Sequence, residues 1–423
     1  MPKAPQQGEY QRPRRRHPHW GAWALLGVAL LSGLALLIPY VANVTNERRQ
    51  QAALQPFYVP PVNYQLATPG EVLRTEPMDV AVPSGGQAAR VLYRSEREDG
   101  TPTVSSGLVF FPTRSANVPD RPVVAWAHGT IGLGDNCAPS RSSDPVADLD
   151  WVGQMLARGW VVAATDYAGL GTPGPSRYLI GPDEARDVLN SVRAARHLDP
   201  EAGDRFALFG HSQGGHAALW SANEAGAYAP DLKLVGTAAG APAAELPQLF
   251  SQQRNAAASW VIGPDVTVSW PGAYPNLDVA GAVTDRGLRL ADKLARECAD
   301  QSGEGALFRE TLSERFFSRN PMELISWRDA AVQQTPKILK PGQPLLVVQS
   351  LTDQVVLPDT TALLVQRSCA AGTALETLWL DGVTHQQTAI TAGPSIVDWI
   401  GDRFEERPLA ASCGQPLPVQ PAG

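Results

Sequence analysis

Residues 205–225, RFALFGHSQGGHAALWSANEA, give the strongest indication of the fold. The stretch starts as a short apolar run typical of a buried strand, continues as a pattern typical of a helix, and turns between the two at Gly-His-Ser-Gln-Gly. A turn this sharp strains its central residue, Ser212, and is tolerated when the residues two before and two after it lack side chains. Gly210 and Gly214 meet that requirement. The pattern predicts a nucleophile elbow, residues 210–214, that lifts the Ser212 hydroxyl above a helix N-terminus.

The alternative to a nucleophilic role is that Ser212 only caps the helix. If Ser212 is the nucleophile, it needs a base that takes its proton. In folds built around such an elbow, the chain order is serine, acid, histidine. Of the seven histidines, only His216 and His385 follow Ser212. His216 lies one turn into the elbow helix, too close in sequence to reach back, and His211 belongs to the turn itself. His385 follows a strand-like run and precedes the final helix, so we predict that it is the base.

The predicted acid is Asp353. It ends the apolar run PLLVVQSLTD, residues 344–353, and so lies just beyond the carboxyl end of a strand. Asp381 is the alternative, but it lies only four positions before His385, which leaves little chain to bring it to the far side of the ring.

An oxyanion needs two backbone N–H donors. The residue after the nucleophile, Gln213, supplies the first. The second is expected in the loop after the strand that contains His128, Gly129 and Thr130, where Thr130 is the predicted donor. The glycine-rich run IGLGD, residues 131–135, leaves the identity of this second donor open.

Composition argues against several other classes of protein. The chain has 35 basic and 42 acidic residues, a net charge of −7, so we predict no nucleic-acid partner. Its four cysteines include no CxxC pair, and we predict no metal. Gly169 to Gly174 matches the dinucleotide pattern GxGxxG, but Pro173 and Pro175 prevent a helix from starting there. We therefore predict no cofactor and interpret this stretch as a turn-rich loop.

Short apolar runs alternate with helical patterns along most of the chain. Such alternation builds a mostly parallel sheet flanked by helices on both faces, which is an α/β fold. Segments near residues 78–111 alternate between apolar and polar residues and predict an antiparallel meander. The apolar runs are PVVAWAHGT (122–130), WVVAATDY (160–167), RFALFGHS (205–212), KLVGTAAG (233–240) and PLLVVQSLTD (344–353).

One interval breaks this rhythm. About a hundred residues separate Gly240 from Pro344, whereas connections in such units usually have about 2–6 residues outside the helix. We therefore predict an inserted subdomain, in which residues 285–300 (DRGLRLADKLARECAD) form an amphipathic stretch. The segment after Cys413 is expected to be a disordered tail.

The N-terminal region has the pattern of a membrane segment. Residues 21–38 (GAWALLGVALLSGLALLI) carry no charge, and a helix of that length covers the ~30 Å of a bilayer core. Arginines at positions 14–16 precede it and would keep the N-terminus in the cytoplasm. This predicts a single-pass signal anchor with the body outside the cytoplasm; the alternative is a cleaved signal peptide and a secreted body.

Five stretches together resemble the secretory lipases of the α/β-hydrolase superfamily. The resemblance extends over roughly residues 70–410. The stretches are AHGTIGLGDNCAPS (127–140), VVAATDYAGLGTPG (161–174), GHSQGG (210–215), TDQVVLP (352–358) and VTHQ (383–386).

The resemblance implies an α/β-hydrolase fold with Ser212, Asp353 and His385 as the catalytic triad and a mostly helical cap at residues 243–335. It also implies triacylglycerol lipase or broader carboxylesterase activity on a lipid or ester substrate. Four cysteines allow three pairings, and the resemblance implies the pairs Cys137 with Cys298 and Cys369 with Cys413. Family members are typically released, whereas the N-terminal apolar run favours an anchor.

The predicted function is hydrolysis of acylglycerols or related esters through an acyl-enzyme on Ser212. Alternatives are a membrane-anchored acyltransferase or peptidase of the same fold, and a catalytically silent binding module. The sequence leaves the oligomeric state open. The predicted segments are a basic cytoplasmic tail (1–19), a transmembrane signal anchor (20–42), a stalk (43–65), the first part of the hydrolase core (66–242), the cap insertion (243–335), the second part of the core (336–410) and a tail (411–423).

Overall fold

A computed structural model describes residues 1, 41, 45–112, 120–146 and 149–423 of the chain, without the side chains of residues 150, 300–302, 304 and 308. Contacts divide the chain into a unit of Met1–Leu54 and a unit of Gln55–Gly423. Apart from Met1 and Val41, the predicted cytoplasmic tail and signal anchor lie outside the described residues. Within the part that is described, no helix combines the length and apolar character needed to cross a bilayer.

Nine strands of the described chain form one sheet. Their order is β1-β2-β3-β5-β4-β6-β7-β8-β9. Pairs among β1, β2, β3 and β5 are antiparallel, and all pairs from β5 across to β9 are parallel. The strands are β1 Val72–Met78, β2 Gln87–Glu96, β3 Pro102–Phe111, β4 Arg121–Ala127, β5 Val161–Thr165, β6 Ala202–His211, β7 Lys233–Gly240, β8 Leu345–Ser350 and β9 Leu375–Leu380.

The meander differs from its prediction at the first strand. We expected that strand to begin near residue 78, but β1 ends at Met78, and the next strand starts only at Gln87. β1 is an edge strand that pairs with β2 alone. It contains Pro77 and several partly exposed side chains, so it lacks the strong alternation of a strand with one fully buried face.

Helices cover both faces of the sheet and fill the interval between β7 and β8. Residues 45–58 are also helical. The labelled helices are α1 Asp150–Ala157, α2 Gly181–Leu198, α3 Gln213–Tyr228, α4 Leu246–Gln253, α5 Ser259–Ser269, α6 Val279–Ala282, α7 Asp285–Ala295, α8 Ala299–Thr311, α9 Ile325–Gln333, α10 Pro358–Ala370 and α11 Gln387–Phe404.

Successive side chains of the central strands enter two different apolar clusters. In β6, Phe206 and Leu208 pack with residues of α2 and α3, whereas Phe209 packs with α1 and α11 on the opposite face. The central strands are therefore buried on both faces, which explains their continuous apolar runs.

The interval between β7 and β8 contains mostly helices. Helices α4–α9 lie there and have their own apolar cluster, which includes Trp260, Trp270 and Trp327. The amphipathic stretch 285–300 is two helices rather than one, because α7 ends at Ala295 and α8 begins at Ala299.

Both ends of the second unit pack more closely than predicted. In the segment predicted as a stalk, Phe57 and Tyr58 are buried, and the Arg141 guanidinium lies 3.8 Å from the centre of the Tyr58 ring. The expectation of a disordered C-terminal tail is wrong. The Ala422 N–H donates to the Asp359 carbonyl at 2.9 Å, and Leu417 packs against the core.

Candidate active site

Ser212 lies at the turn between β6 and α3. Its backbone has φ +58° and ψ −117°, and residues other than glycine rarely adopt a positive φ. Three backbone hydrogen bonds hold it there. The Ser212 N–H donates to Gly240 O at 2.8 Å, and its carbonyl accepts from the N–H groups of His216 at 3.0 Å and Ala243 at 3.2 Å.

Neighbouring backbone atoms leave no room for a side chain at either glycine of the elbow. A Cβ atom at Gly210 would lie 2.0 Å from the Gly214 carbonyl oxygen, and one at Gly214 would lie 1.8 Å from the Ala127 carbonyl oxygen. Both distances are far below van der Waals contact, and both obstructing atoms belong to the backbone. Strand β6 and helix α3 can therefore meet at this angle only if both positions are glycine.

The structure brings the three predicted triad side chains together. His385 Nε2 lies 2.9 Å from Ser212 Oγ, and His385 Nδ1 lies 2.7 Å from Asp353 Oδ2. The Ser212 and His385 residues are 7% exposed, and Asp353 is 1% exposed. The imidazole is therefore poised between hydroxyl and carboxylate, with Nδ1–H donating to Asp353 and Nε2 available to accept from Ser212.

Asp353 is fixed by the turn that follows β8. Its Oδ1 accepts from the N–H groups of Val355 at 2.8 Å and Val356 at 3.0 Å. Its Oδ2 accepts from the Gln349 side chain at 3.2 Å. The alternative acid, Asp381, is exposed. The geometry thus favours Asp353 as the partner of the imidazole.

His211 has a contact that sequence reasoning did not find. Its Nε2 lies 2.9 Å from the His385 carbonyl oxygen, and the two imidazole rings are 4.7 Å apart. Burial, together with the nearby His385, lowers the pKa of His211 to about 3. The ring is therefore neutral over the usual working range of pH, with its single N–H donated to the backbone of His385.

One predicted oxyanion donor, Gln213, lies in the elbow, and the other, Thr130, lies in a loop beside it. Gln213 is the first residue of α3, where backbone N–H groups have no acceptor within the helix. Thr130 follows β4, and its hydroxyl lies 2.7 Å from the Tyr178 hydroxyl. A Cβ atom at the neighbouring Gly129 would lie 3.4 Å from Ser212 Cβ, so this loop runs directly beside the serine. The roles of both residues remain predictions.

A narrow cavity beside the Gln213 side chain is lined by buried polar groups that the sequence did not single out. They include Tyr178, Glu184 and Asp187. Burial raises the pKa of Asp187 to about 7. Both carboxylates lie on α2, where the apolar periodicity made the polar positions look solvent-facing, so no local signal could have identified them.

Two disulfides link distant parts of the second unit. Cys137 pairs with Cys298, and Cys369 pairs with Cys413, as the resemblance implies. Backbone hydrogen bonds flank the first bridge. Leu133 N–H donates to Ala295 O at 2.6 Å, and Ala299 N–H donates to Ile131 O at 3.0 Å. The loop after Thr130 is thereby joined to the junction of α7 and α8.

The GxGxxG stretch is a turn-rich loop, as predicted. Gly169, Gly171 and Gly174 all have positive φ, and the next helix, α2, begins only at Gly181. In the described residues 166–180, this stretch does not open a helix as the dinucleotide pattern requires.

Comparisons with known proteins agree with this architecture. Among solved structures, Candida antarctica lipase A in its closed state is similar with a TM-score of 0.70 and 19% identity, covering 86% of this chain and 89% of that chain. A ligand-bound rice cell wall degrading esterase, LipA from Xanthomonas oryzae, is similar with a TM-score of 0.67 and 18% identity, covering 81% and 100%. The fold is the α/β-hydrolase fold of these lipases and esterases.

Proteins similar in sequence are also named as lipases. A probable inactive lipase of Mycobacterium tuberculosis (strain CDC 1551 / Oshkosh) is 28% identical over 84% of this chain and 82% of that protein. Lipase A of Arthroderma benhamiae is 25% identical over 85% of this chain and 81% of that protein. The model of the family described as secretory lipase matches residues 142–412. Because that match covers more than half of the chain, the chain belongs to the secretory lipase family.

Proposed function

We propose that this protein is a serine hydrolase that cleaves acylglycerols or related carboxylic esters through an acyl-enzyme on Ser212. The observation that carries the proposal is the pair of hydrogen bonds made by His385, at 2.9 Å to Ser212 Oγ and at 2.7 Å to Asp353. Membership of a lipase family supports the same chemistry.

In the first half-reaction the Ser212 oxygen attacks the ester carbonyl carbon while His385 Nε2 takes the hydroxyl proton. The tetrahedral intermediate then collapses, the bond to the leaving oxygen breaks, and His385 gives its proton to the departing alcohol. In the second half-reaction water attacks the acyl-enzyme, with His385 again acting first as base and then as acid. The carboxylic acid leaves and the serine is restored. Asp353 holds the imidazole in the required tautomer throughout.

The oxyanion of each intermediate would be bound by the backbone N–H groups of Gln213 and Thr130. Each such donor is worth about 3–4 kcal/mol in the transition state. The helix dipole of α3 adds a favourable field at the same place, since Ser212 lies at its N-terminus.

We also propose that the body works outside the cytoplasm. Disulfides persist in oxidising compartments, and both pairs of cysteines are bridged. The apolar run at residues 21–38 supports export, by an anchor or by a cleaved signal peptide. Extraction of membranes with alkaline carbonate separates the two, because an anchored protein stays in the pellet and a released one does not.

A catalytically silent module is the second candidate, because one similar protein carries the name probable inactive lipase. Hydrolysis of p-nitrophenyl butyrate by the wild type and by Ser212→Ala separates the candidates. We expect measurable turnover by the wild type and a loss of about 10⁴–10⁶-fold in kcat for the variant, in line with the removal of a triad nucleophile. Turnover retained by Ser212→Ala contradicts the assignment, and a wild type that turns over no ester favours the silent module.

A further inference from the structure

Glu184 is a buried carboxylate at the start of α2 that contacts two other segments, the loop before α2 and the first turn of α3. It is 2% exposed. Its Oε1 accepts from the Leu179 N–H at 2.9 Å and from the Gln213 side-chain amide at 2.7 Å. Its Oε2 lies 3.1 Å from His216 Nδ1. A carboxylate buried this deeply is stable only when its oxygens are hydrogen-bonded, and here both of them are.

The contact with Gln213 reaches one side of the predicted oxyanion hole. Gln213 supplies its backbone N–H there, while its side chain is tied to Glu184. With the side chain anchored at one end and the backbone held by the elbow at the other, the peptide between Ser212 and Gln213 has little freedom to rotate.

The contact with Leu179 reaches the other side. Leu179 has φ +54°, a strained conformation for a leucine, and its N–H is held by Glu184. The preceding residue, Tyr178, places its hydroxyl 2.7 Å from the Thr130 hydroxyl. Its carbonyl accepts from the Trp270 indole N–H at 3.1 Å. Glu184 thus fixes the turn from which Tyr178 reaches Thr130.

His216 closes the network and connects it to the inserted helices. Its Nε2 lies 2.8 Å from the Gln334 carbonyl oxygen, and the Gln334 side-chain amide donates to the Tyr274 hydroxyl at 2.6 Å. Both neighbours of the imidazole are oxygen atoms, so either ring nitrogen finds an acceptor when it carries a proton.

We propose that Glu184 is a positioning residue for ester hydrolysis, which holds the Gln213 and Thr130 donors of the oxyanion hole at their working separation. This rests on the proposed function, since it assigns Glu184 a part in the same reaction. Glu184 does not contact Ser212, His385 or Asp353 through any of its hydrogen bonds described above. Its effect passes through the two donors.

The proposal predicts a loss that falls on kcat rather than on KM. In Glu184→Ala, the Gln213 side chain and the Leu179 N–H lose their acceptor. Because a displacement of the order of 1 Å at a reacting group costs about 10²-fold, we expect kcat per active site to fall about 10–100-fold with KM changed by about twofold or less. Binding of a trifluoromethyl ketone, which forms an oxyanion adduct with the serine, should weaken by a similar factor.

Glu184→Gln is the conservative variant. Its amide oxygen accepts from Leu179 and Gln213 as before, and its NH₂ group donates to a neutral His216 that keeps its bond to Gln334. We expect kcat within about threefold of the wild type, since the geometry of the hydrogen bonds is retained. Asp199→Ala is the matched control, because Asp199 is a buried carboxylate that directly follows the other end of α2 and pairs with Arg121 at 3.1 Å.

The experiment measures kcat and KM for p-nitrophenyl butyrate, with active sites counted by fluorophosphonate titration so that unfolded molecules do not enter kcat. A lower kcat for Glu184→Ala, with Glu184→Gln and Asp199→Ala close to wild type, supports the proposal. Equal kcat for Glu184→Ala and Asp199→Ala overturns it, as does an equal loss in Glu184→Gln and Glu184→Ala.

If Glu184→Ala does not fold, Gln213→Ala tests the same proposal. Gln213→Ala keeps the backbone N–H and removes only the side chain that Glu184 holds, so kcat should fall while KM does not rise. Unchanged kcat in that variant overturns the proposal. Failure of the proposed function looks different, because then the wild type itself neither hydrolyses the ester nor reacts with the fluorophosphonate.

Discussion

The backbone of Ser212 shows how a local strain is held in place by its surroundings. A non-glycine residue at φ +58° costs about 1–3 kcal/mol. The carbonyl oxygens of Ala127 and Gly214 leave no room for side chains at Gly214 and Gly210, respectively. The strained turn therefore survives because the strand, the helix and the two glycines allow no relaxed alternative.

The first prediction concerns Gly210. In Gly210→Ala the new methyl group meets the Gly214 carbonyl at 2.0 Å, so the elbow must open, and we expect a stability loss of at least about 3 kcal/mol together with loss of esterase activity. Gly226→Ala is the control in the same helix α3. A Cβ atom there has no neighbour within 4 Å, and we expect a gain of about 0.5–1 kcal/mol. Urea unfolding measures both; equal behaviour of the two variants would contradict the steric account.

The second prediction concerns Asp187. Its Oδ2 accepts from the Ala168 N–H at 2.7 Å, while its buried Oδ1 has no partner among the described residues. Burial raises its pKa from 3.8 to about 7. Between these values the native state holds a proton that the unfolded state has lost. The contribution of Asp187 to stability is therefore complete below pH 3.8 and is lost as the pH rises through 7.

Asp187→Asn carries no charge in either state and escapes this loss. Relative to the wild type, it should gain on the order of 1–3 kcal/mol at pH 8 and little near pH 4. Denaturant unfolding at both pH values measures the difference. Asp183→Asn is the control, since it breaks an ion pair with Arg97 and should not gain at pH 8. A gain by Asp187→Asn that is as large at pH 4 as at pH 8 would refute the ionisation argument.

That Ser212, Asp353 and His385 lie close together could be predicted from sequence, because each follows a recognisable strand. Asp353 follows β8, His385 follows β9, and the carboxyl ends of parallel strands meet at one edge of the sheet. Glu184 could not be predicted in the same way. Its partners Leu179, Gln213 and His216 are brought to it by tertiary packing, and an acidic residue in the first turn of a helix is most often a solvated one.

At the scale of elements, the sequence predicted which segments form strands and helices better than it predicted where they end. The apolar pattern of residues 285–300 continues through a break, because α7 and α8 are separated at Arg296 to Cys298. Tertiary contacts with residues 131–137 hold the chain at that break. Cys298 is bridged to Cys137, and the flanking backbone groups bond to residues 131 and 133.

The third prediction follows from this junction. The two disulfides close long loops, of 161 and 44 residues. By lowering the entropy of the unfolded chain, they should stabilise the folded state by about 5 and 4 kcal/mol, respectively. Removing either bridge by double serine substitution should therefore lower the melting temperature. Only the Cys137 and Cys298 variant should also lose turnover per folded molecule, because its bridge lies beside the Thr130 loop.

The measurement compares melting temperatures and esterase turnover of the two double variants at a temperature where both are folded. The variant lacking Cys369 and Cys413 is the control for a general loss of stability. Equal turnover losses in the two variants would show that the first bridge has no particular relation to the oxyanion loop.

For the whole molecule, the alternation of strand and helix patterns predicted the fold class, and the long interval after Gly240 predicted an inserted subdomain. Only the family resemblance implied that this subdomain is mostly helical. Two expectations about the ends of the second unit did not allow for tertiary contacts. The aromatic pair Phe57 and Tyr58 is buried, and the proline-rich segment after Cys413 returns to the core. Polar, proline-rich composition alone does not distinguish an exposed linker from one that packs at a few anchoring residues.

The central claim is that Ser212 is the nucleophile of an ester hydrolase. Reaction of the intact protein with a fluorophosphonate, followed by mass spectrometry, tests it most directly, because only a serine activated by a neighbouring base reacts readily. We predict one adduct per wild-type molecule, mapped to Ser212, and no adduct on Ser212→Ala. An unlabelled wild type, or a Ser212→Ala variant that is labelled to the same extent, would contradict the account.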